Sequence, residues 1–198
     1  DTAELEIQLP PGFKVNPTSK SSVELTSGYW LAETEVTQGQ WLKVMGTTPW
    51  KDQENVKEGA DFAASYLSHN DAVACCEELT KQERDAGRLR EGWRYSLPTE
   101  AQWEYAARNR GQYFVFATDD GSVDIGRNVW EFQQRENVIT ALGGHFPPSL
   151  PLGQFPPTPL GLYDMMTDGL EWTLDWYDKD YYKRSQTLNP QGPNKGQF

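Results

Sequence analysis

Three times in this chain a hydroxyl residue is followed, three positions on, by a side chain that can reach back to it: Thr37-x-x-Gln40, Ser68-x-x-Asp71 and Thr99-x-x-Gln102. In such a capping box the hydroxyl accepts the N–H of the third helical residue. That residue's side chain in turn accepts the N–H of the cap, so two of the orphan donors at a helix start are satisfied together. Three boxes predict three helices and where each begins. The first is short, with Trp41, Val44 and Met45 inward and Gly46 as its stop. The second is the longest, roughly Asp71 to Ala86, with Val73, Cys76 and Leu79 as its apolar stripe and Gly87 as its stop. Its outer face is Glu77, Glu78, Lys81, Glu83 and Arg84. The third presents Trp103, Ala106 and Ala107 on one side, and Arg108 and Arg110 follow at its C-terminal end, where the helix dipole favours cations. Upstream, Val23 to Val36 reads as extended chain with Trp30, Ala32, Thr34 and Val36 sharing one face at period two.

Three helices leave most of a 198-residue chain to be built otherwise. Eight Trp, nine Tyr and eight Phe accompany 17 Gly and 13 Pro, which points to an irregular, turn-rich fold whose interior is filled by rings. The length suits one domain, residues 1–198. A formal charge of −11 argues against a nucleic-acid backbone or an anionic membrane surface as partner and makes cations or basic protein surfaces the easier ones. No stretch approaches the roughly 20 apolar residues of a spanning helix, so no membrane insertion is expected. The first residues, Asp1-Thr2-Ala3-Glu4, carry neither a basic start nor an apolar run, and no signal peptide is expected among them. Adjacent cysteines rarely bridge each other, so Cys75 and Cys76 read as small packed side chains on the second helix.

The stretch Tyr95-Ser96-Leu97-Pro98-Thr99-Glu100-Ala101-Gln102-Trp103-Glu104-Tyr105-Ala106-Ala107-Arg108 resembles the signature of the formylglycine-generating enzyme, or sulfatase-modifying factor, family. Three companions lie in the family's order: Glu35–Trp41, Ser68–Cys76, and Gly161-Leu162-Tyr163-Asp164-Met165 leading to Glu171-Trp172. Together they span roughly Val23 to Gln197. The resemblance implies an α+β, C-type-lectin-like fold: a small antiparallel sheet, two main helices and much irregular loop. Within the signature, Pro98 and Thr99 would set the helix start, Trp103 and Tyr105 would be core and shell, and Glu104 would tie down a loop or a basic neighbour.

The resemblance also bears on chemistry. Family members make formylglycine with two cysteine thiolates that hold copper, a soft-ligand arrangement, in a segment that would follow the point where this sequence stops. The domain is therefore expected to be C-terminally incomplete, with copper only if those cysteines exist beyond it. Related sulfoxide-synthesising enzymes hold iron with three histidines, and this chain has only His69 and His145. Calcium is the cation more readily expected, held by oxygen ligands. Its candidate ligands are Asp168 and Glu171, in the stretch matching the family's G-N-V-W-E-W loop, and Asn128. Trp172, Trp176, Tyr177, Tyr181 and Tyr182 read first as core and second as a groove for a peptide or sugar, acidic through Asp175, Asp178 and Asp180. The expected function is a non-catalytic domain binding a protein, peptide or small-molecule ligand, placed in the periplasm or outside the cell. The alternative is a formylglycine-generating oxidoreductase whose catalytic segment lies elsewhere.

Overall fold

All three boxes form. In the computed structural model, which describes residues 23–54, 56–112, 114–124, 126–129, 150–166 and 169–196, α1 spans Gln38–Met45, α2 His69–Asp85 and α3 Glu100–Ala107, each with both reciprocal cap bonds present. Gly46 ends α1 in the left-handed conformation, and Gly87, with φ of 69°, follows the end of α2. A 3-10 turn, Tyr181–Lys183, is the remaining regular element among the described residues.

Two clusters make the described core. Trp41 of α1 packs with Trp50 and with Cys75 of α2, and Val44, Met45, Val56, Ala64 and Leu67 close round them. The Trp41 indole N–H keeps a partner, Thr47 Oγ1 at 3.0 Å, so its burial leaves no polar atom unmet. Beside it the buried Gln38 amide stitches the loop before α2: Nε2 donates to the Lys57 carbonyl at 2.9 Å, and Oε1 accepts from Gly59 N–H at 2.9 Å. Gly39 is needed at that contact, because a Cβ would stand 3.1 Å from the Ala60 carbonyl oxygen. The second cluster sets Val23 and Leu25 against Ala101 of α3, with Tyr29, Tyr105 and Tyr182 around it.

The structure corrects three details. Along 23–36 the exposed face is the one carrying Trp30 and Val36; Val23, Leu25 and Tyr29, of opposite parity, pack inward. A slip of one residue in an alternating segment exchanges its faces, and alternation alone does not say which face wins. On α2 the buried residues are Cys75 and Thr80, while Val73, Cys76 and Leu79 are half-buried. Thr80 faces inward because its hydroxyl ties α2 to Tyr95 N–H at 2.9 Å. On α3 the alanines 101, 106 and 107 are buried, and Trp103 is only half-buried.

No strand forms among the described residues, so the expected small sheet is represented there by three isolated bridges. Two are antiparallel, Thr37 with Ala63 and Phe62 with Pro151, and one is parallel, Glu24 with Leu188. The last joins the two ends of the described chain: Glu24 N–H donates to Thr187 O at 2.8 Å and Asn189 N–H to Glu24 O at 2.8 Å. Glu104 meets its expectation, pairing with Arg108, whose Nη1 also donates to the Phe114 carbonyl at 3.1 Å.

Candidate functional site

Helix starts leave backbone N–H groups without intrahelical partners, and here they help to fix an irregular segment, Glu171 to Tyr177. Asp175 Oδ1 accepts the Glu100 N–H of α3 at 2.7 Å, and Leu174 N–H donates to Pro98 O at 2.8 Å. At the start of α2, Trp172 Nε1 donates to Leu67 O at 3.0 Å, and His69 Nε2 stands 3.1 Å from Thr173 O. The His69 and Trp172 rings meet edge to face at 5.7 Å. His69 thus clamps the segment instead of standing free at the surface. Trp103 of α3 adds a bond from Nε1 to Glu171 Oε2 at 3.0 Å.

The segment ends in a cleft of about 150 Å³ lined by Glu100, Asp175, Trp176, Tyr177, Tyr182 and Gly192 among others. The first reading of these rings as core is corrected here: Trp172, Trp176 and Tyr177 are exposed, and Tyr181 and Tyr182 are half-buried. Trp172, Trp176 and Tyr177 lie on irregular chain with no second layer over it among the described residues, whereas the rings around α1 have α2 against them and Tyr182 packs beside the Val23, Leu25 and Ala101 cluster. Burial raises the pKa of both Glu100 and Asp175, and the Tyr182 hydroxyl, itself raised by burial, hydrogen-bonds the Glu100 carboxyl. Gly192 closes one side: with φ of 75°, it would bring a Cβ within 2.4 Å of Asp175 Cβ. Glu100 was not foreseen as part of a site, although a carboxylate in the first turn after a cap is a visible signal.

The calcium candidates separate. Asp168 lies outside the described residues, as does His145. Glu171, exposed as a residue, already accepts the Trp103 N–H, and partial desolvation of its carboxyl raises its pKa, so its charge would gain from a nearby cation. Asn128 is buried and its amide is in use: Oδ1 accepts Asp124 N–H at 2.8 Å, while Nδ2 donates to Asp119 Oδ1 at 2.9 Å and Ser122 O at 3.1 Å. The carboxylates round it belong to Arg127, which pairs with Asp119, with Asp120 at 2.6 Å and with Asp124 at 2.9 Å. That loop holds its own cation, and its donor set does not fit calcium as it stands. The sequence signal for it was Arg127 following three nearby aspartates. Among the described residues no group of three or more His, Cys, Asp and Glu side chains is arranged to hold a metal.

The thiols are poor metal ligands in this state. Cys75 is buried and its pKa is pushed up to about 11; Cys76 is half-buried and also raised by burial. Neighbours on a helix point about 100° apart, so the two do not converge on one ion.

Residues 3–196 match the family described as sulfatase-modifying factor enzyme 1-like domain. The chain is 32% identical to the formylglycine-generating enzyme of Bos taurus over 161 residues, covering 79% of this chain and 39% of that protein. It is 29% identical to chaperone protein LppX of Paenibacillus barcinonensis over 198 residues, covering 83% of this chain and 69% of that protein. Among solved structures, Treponema denticola variable protein 1 superposes with a TM-score of 0.64 at 21% identity, covering 98% of this chain and 78% of that one, a likeness of fold. The chain thus spans about two-fifths of the bovine enzyme's length. The capped helices, the α3 signature and the match over nearly its whole length place this chain in the sulfatase-modifying factor enzyme 1-like family.

Proposed function

We propose that this domain is a non-catalytic, ligand- or protein-binding member of its family, and that the cleft at Asp175–Tyr177 is where it binds. The observation that carries the reading is a segment braced at its back by the starts of α2 and α3 while its aromatic side chains stay exposed. Rigid backing with exposed rings suits recognition, because rings contribute large contact area at small entropic cost. Calcium enters this reading as a structural ion near Glu171, since relieving a desolvated carboxylate would steady the same segment.

The second reading, formylglycine formation, is favoured by the 32% identity to the bovine enzyme. Copper would then need two thiolates, and burial raises the pKa of both thiols of this chain, which disfavours the thiolate. The deciding assay incubates the full chain with a C-x-P-x-R peptide, copper and oxygen and captures aldehyde with a hydrazide. No aldehyde is the expected result. Aldehyde formed by the wild type would overturn the binding reading, and its loss in the Cys75→Ser/Cys76→Ser double variant would assign the chemistry to these thiols.

A further inference from the structure

We propose that the cleft takes an organic ammonium group, of the kind a lysine side chain on a partner protein presents. This rests on the binding reading above and names its ligand. Several other acidic side chains among the described residues are paired with a base, including Asp178 of the cleft itself, which Arg184 holds; Lys179 also lines the cleft. Arg127 meets Asp119, Asp120 and Asp124, Arg184 meets Asp178, Lys183 meets Asp180, and Arg108 meets Glu104. Glu100 and Asp175 differ. Their named partners are neutral donors, the Tyr182 hydroxyl and the Glu100 N–H, and neither makes an ion pair among the described residues. Burial raises both, and Glu100 is raised further by the charge of Asp175, the condition of a carboxylate that a cation would relieve.

The walls narrow the choice of cation. Trp176 and Tyr177 line the cleft at 51% and 64% exposure. Exposed aromatic residues lining a cleft with carboxylates favour an organic cation, which can gain from the ring quadrupole as well as from charge. A small metal ion would forgo that contact and ask for more oxygen ligands than two carboxylates supply. Size narrows it again: about 150 Å³ is below the roughly 300–1,000 Å³ of sites for drug-sized molecules, so the cleft suits one side-chain head. The Gly192 contact against Asp175 keeps that side closed, since any side chain there would push the carboxylate away. A protein of net charge −11 would also draw a basic partner in at long range.

The test compares a trilysine peptide with its Nε-acetylated counterpart, equal in length but uncharged, by tryptophan fluorescence and calorimetry on the full chain. The wild type should bind trilysine and not the acetylated form. Asp175→Asn and Trp176→Ala should each weaken binding about tenfold, with thermal melts confirming that both variants fold. Glu77→Gln, on the outer face of α2 and outside the cleft, changes net charge equally and should leave binding unchanged. Equal weakening by Asp175→Asn and Glu77→Gln would reduce the effect to diffuse charge and overturn the proposal, as would equal binding of both peptides. Lack of any preference for trilysine, with no aldehyde formed in the assay above, would sink the ammonium assignment alone. Aldehyde formation would sink the binding reading whatever the peptides do.

Discussion

Around α1 and α2, Trp41 and Trp50 are 2% and 3% exposed, while Trp172 and Trp176, the same residue type on irregular chain, remain 47% and 51% exposed. The difference lies in what stands opposite. Trp41 projects from one helix toward another, and Cys75 and Leu67 close over it. Trp172 and Trp176 belong to a segment whose backbone is anchored to two helix starts while about half of each of these two residues stays exposed. Ring content alone therefore does not distinguish a core from a binding face in a fold of this kind; the presence of a second layer does.

Substitution should break this comparison in order of burial. Trp41→Ala should cost about 3–5 kcal/mol by chemical denaturation, the range for emptying an aromatic core site. A loss below about 1 kcal/mol would mean that the α1–α2 cluster is loosely packed. Trp103→Ala should cost about 1–3 kcal/mol, since its ring is half-buried and its N–H leaves Glu171 without a donor. Trp176→Ala should stay within about 0.5 kcal/mol of wild type, as for exposed positions, while its effect on peptide binding is large. If Trp176→Ala destabilised as much as Trp103→Ala, the exposed rings would be structural and the comparison would collapse.

The helix starts could be read from sequence because a capping box is a local contract among four residues, met by Thr37, Ser68 and Thr99 without help from the rest of the chain. The family could be read because its signature sits on one of those starts. What could not be read depends on distant partners. The Val23–Val36 segment shows alternation, but only contact with Ala101 decides that Val23 and Leu25 go inside. The exposure of Trp176 depends on what stands opposite it among the described residues, which no local pattern announces. Asn128 was singled out for its oxygen; what the sequence did not announce is that its amide is engaged beside Arg127, which pairs with Asp119, Asp120 and Asp124. The part Glu100 takes in the cleft depends on Asp175, 75 residues away, which accepts its N–H.

The smallest effect expected is at Glu171, and it separates a structural carboxylate from a cation ligand. Burial raises its pKa above the unfolded value, so the neutral carboxyl suits the fold, and a stability cost appears as pH rises through the folded pKa. The Trp103 bond lowers the pKa but does not outweigh burial. Gln at this position can still accept the Trp103 N–H and carries no charge. Without calcium, Glu171→Gln should therefore melt about 1–2 °C above wild type at neutral pH. The gain should fade below about pH 4, where the wild-type carboxyl is protonated in both folded and unfolded chains. Millimolar calcium should reverse the order, because a cation beside a desolvated carboxylate relieves the cost that the amide never had, and binding to the folded state alone raises stability by mass action. Equal calcium shifts in wild type and Glu171→Gln, matched by magnesium, would leave only screening of the −11 charge and remove the ion from the picture. A Glu171→Gln variant that melted below wild type at neutral pH would show instead that the charged bond to Trp103 outweighs the burial of the carboxylate.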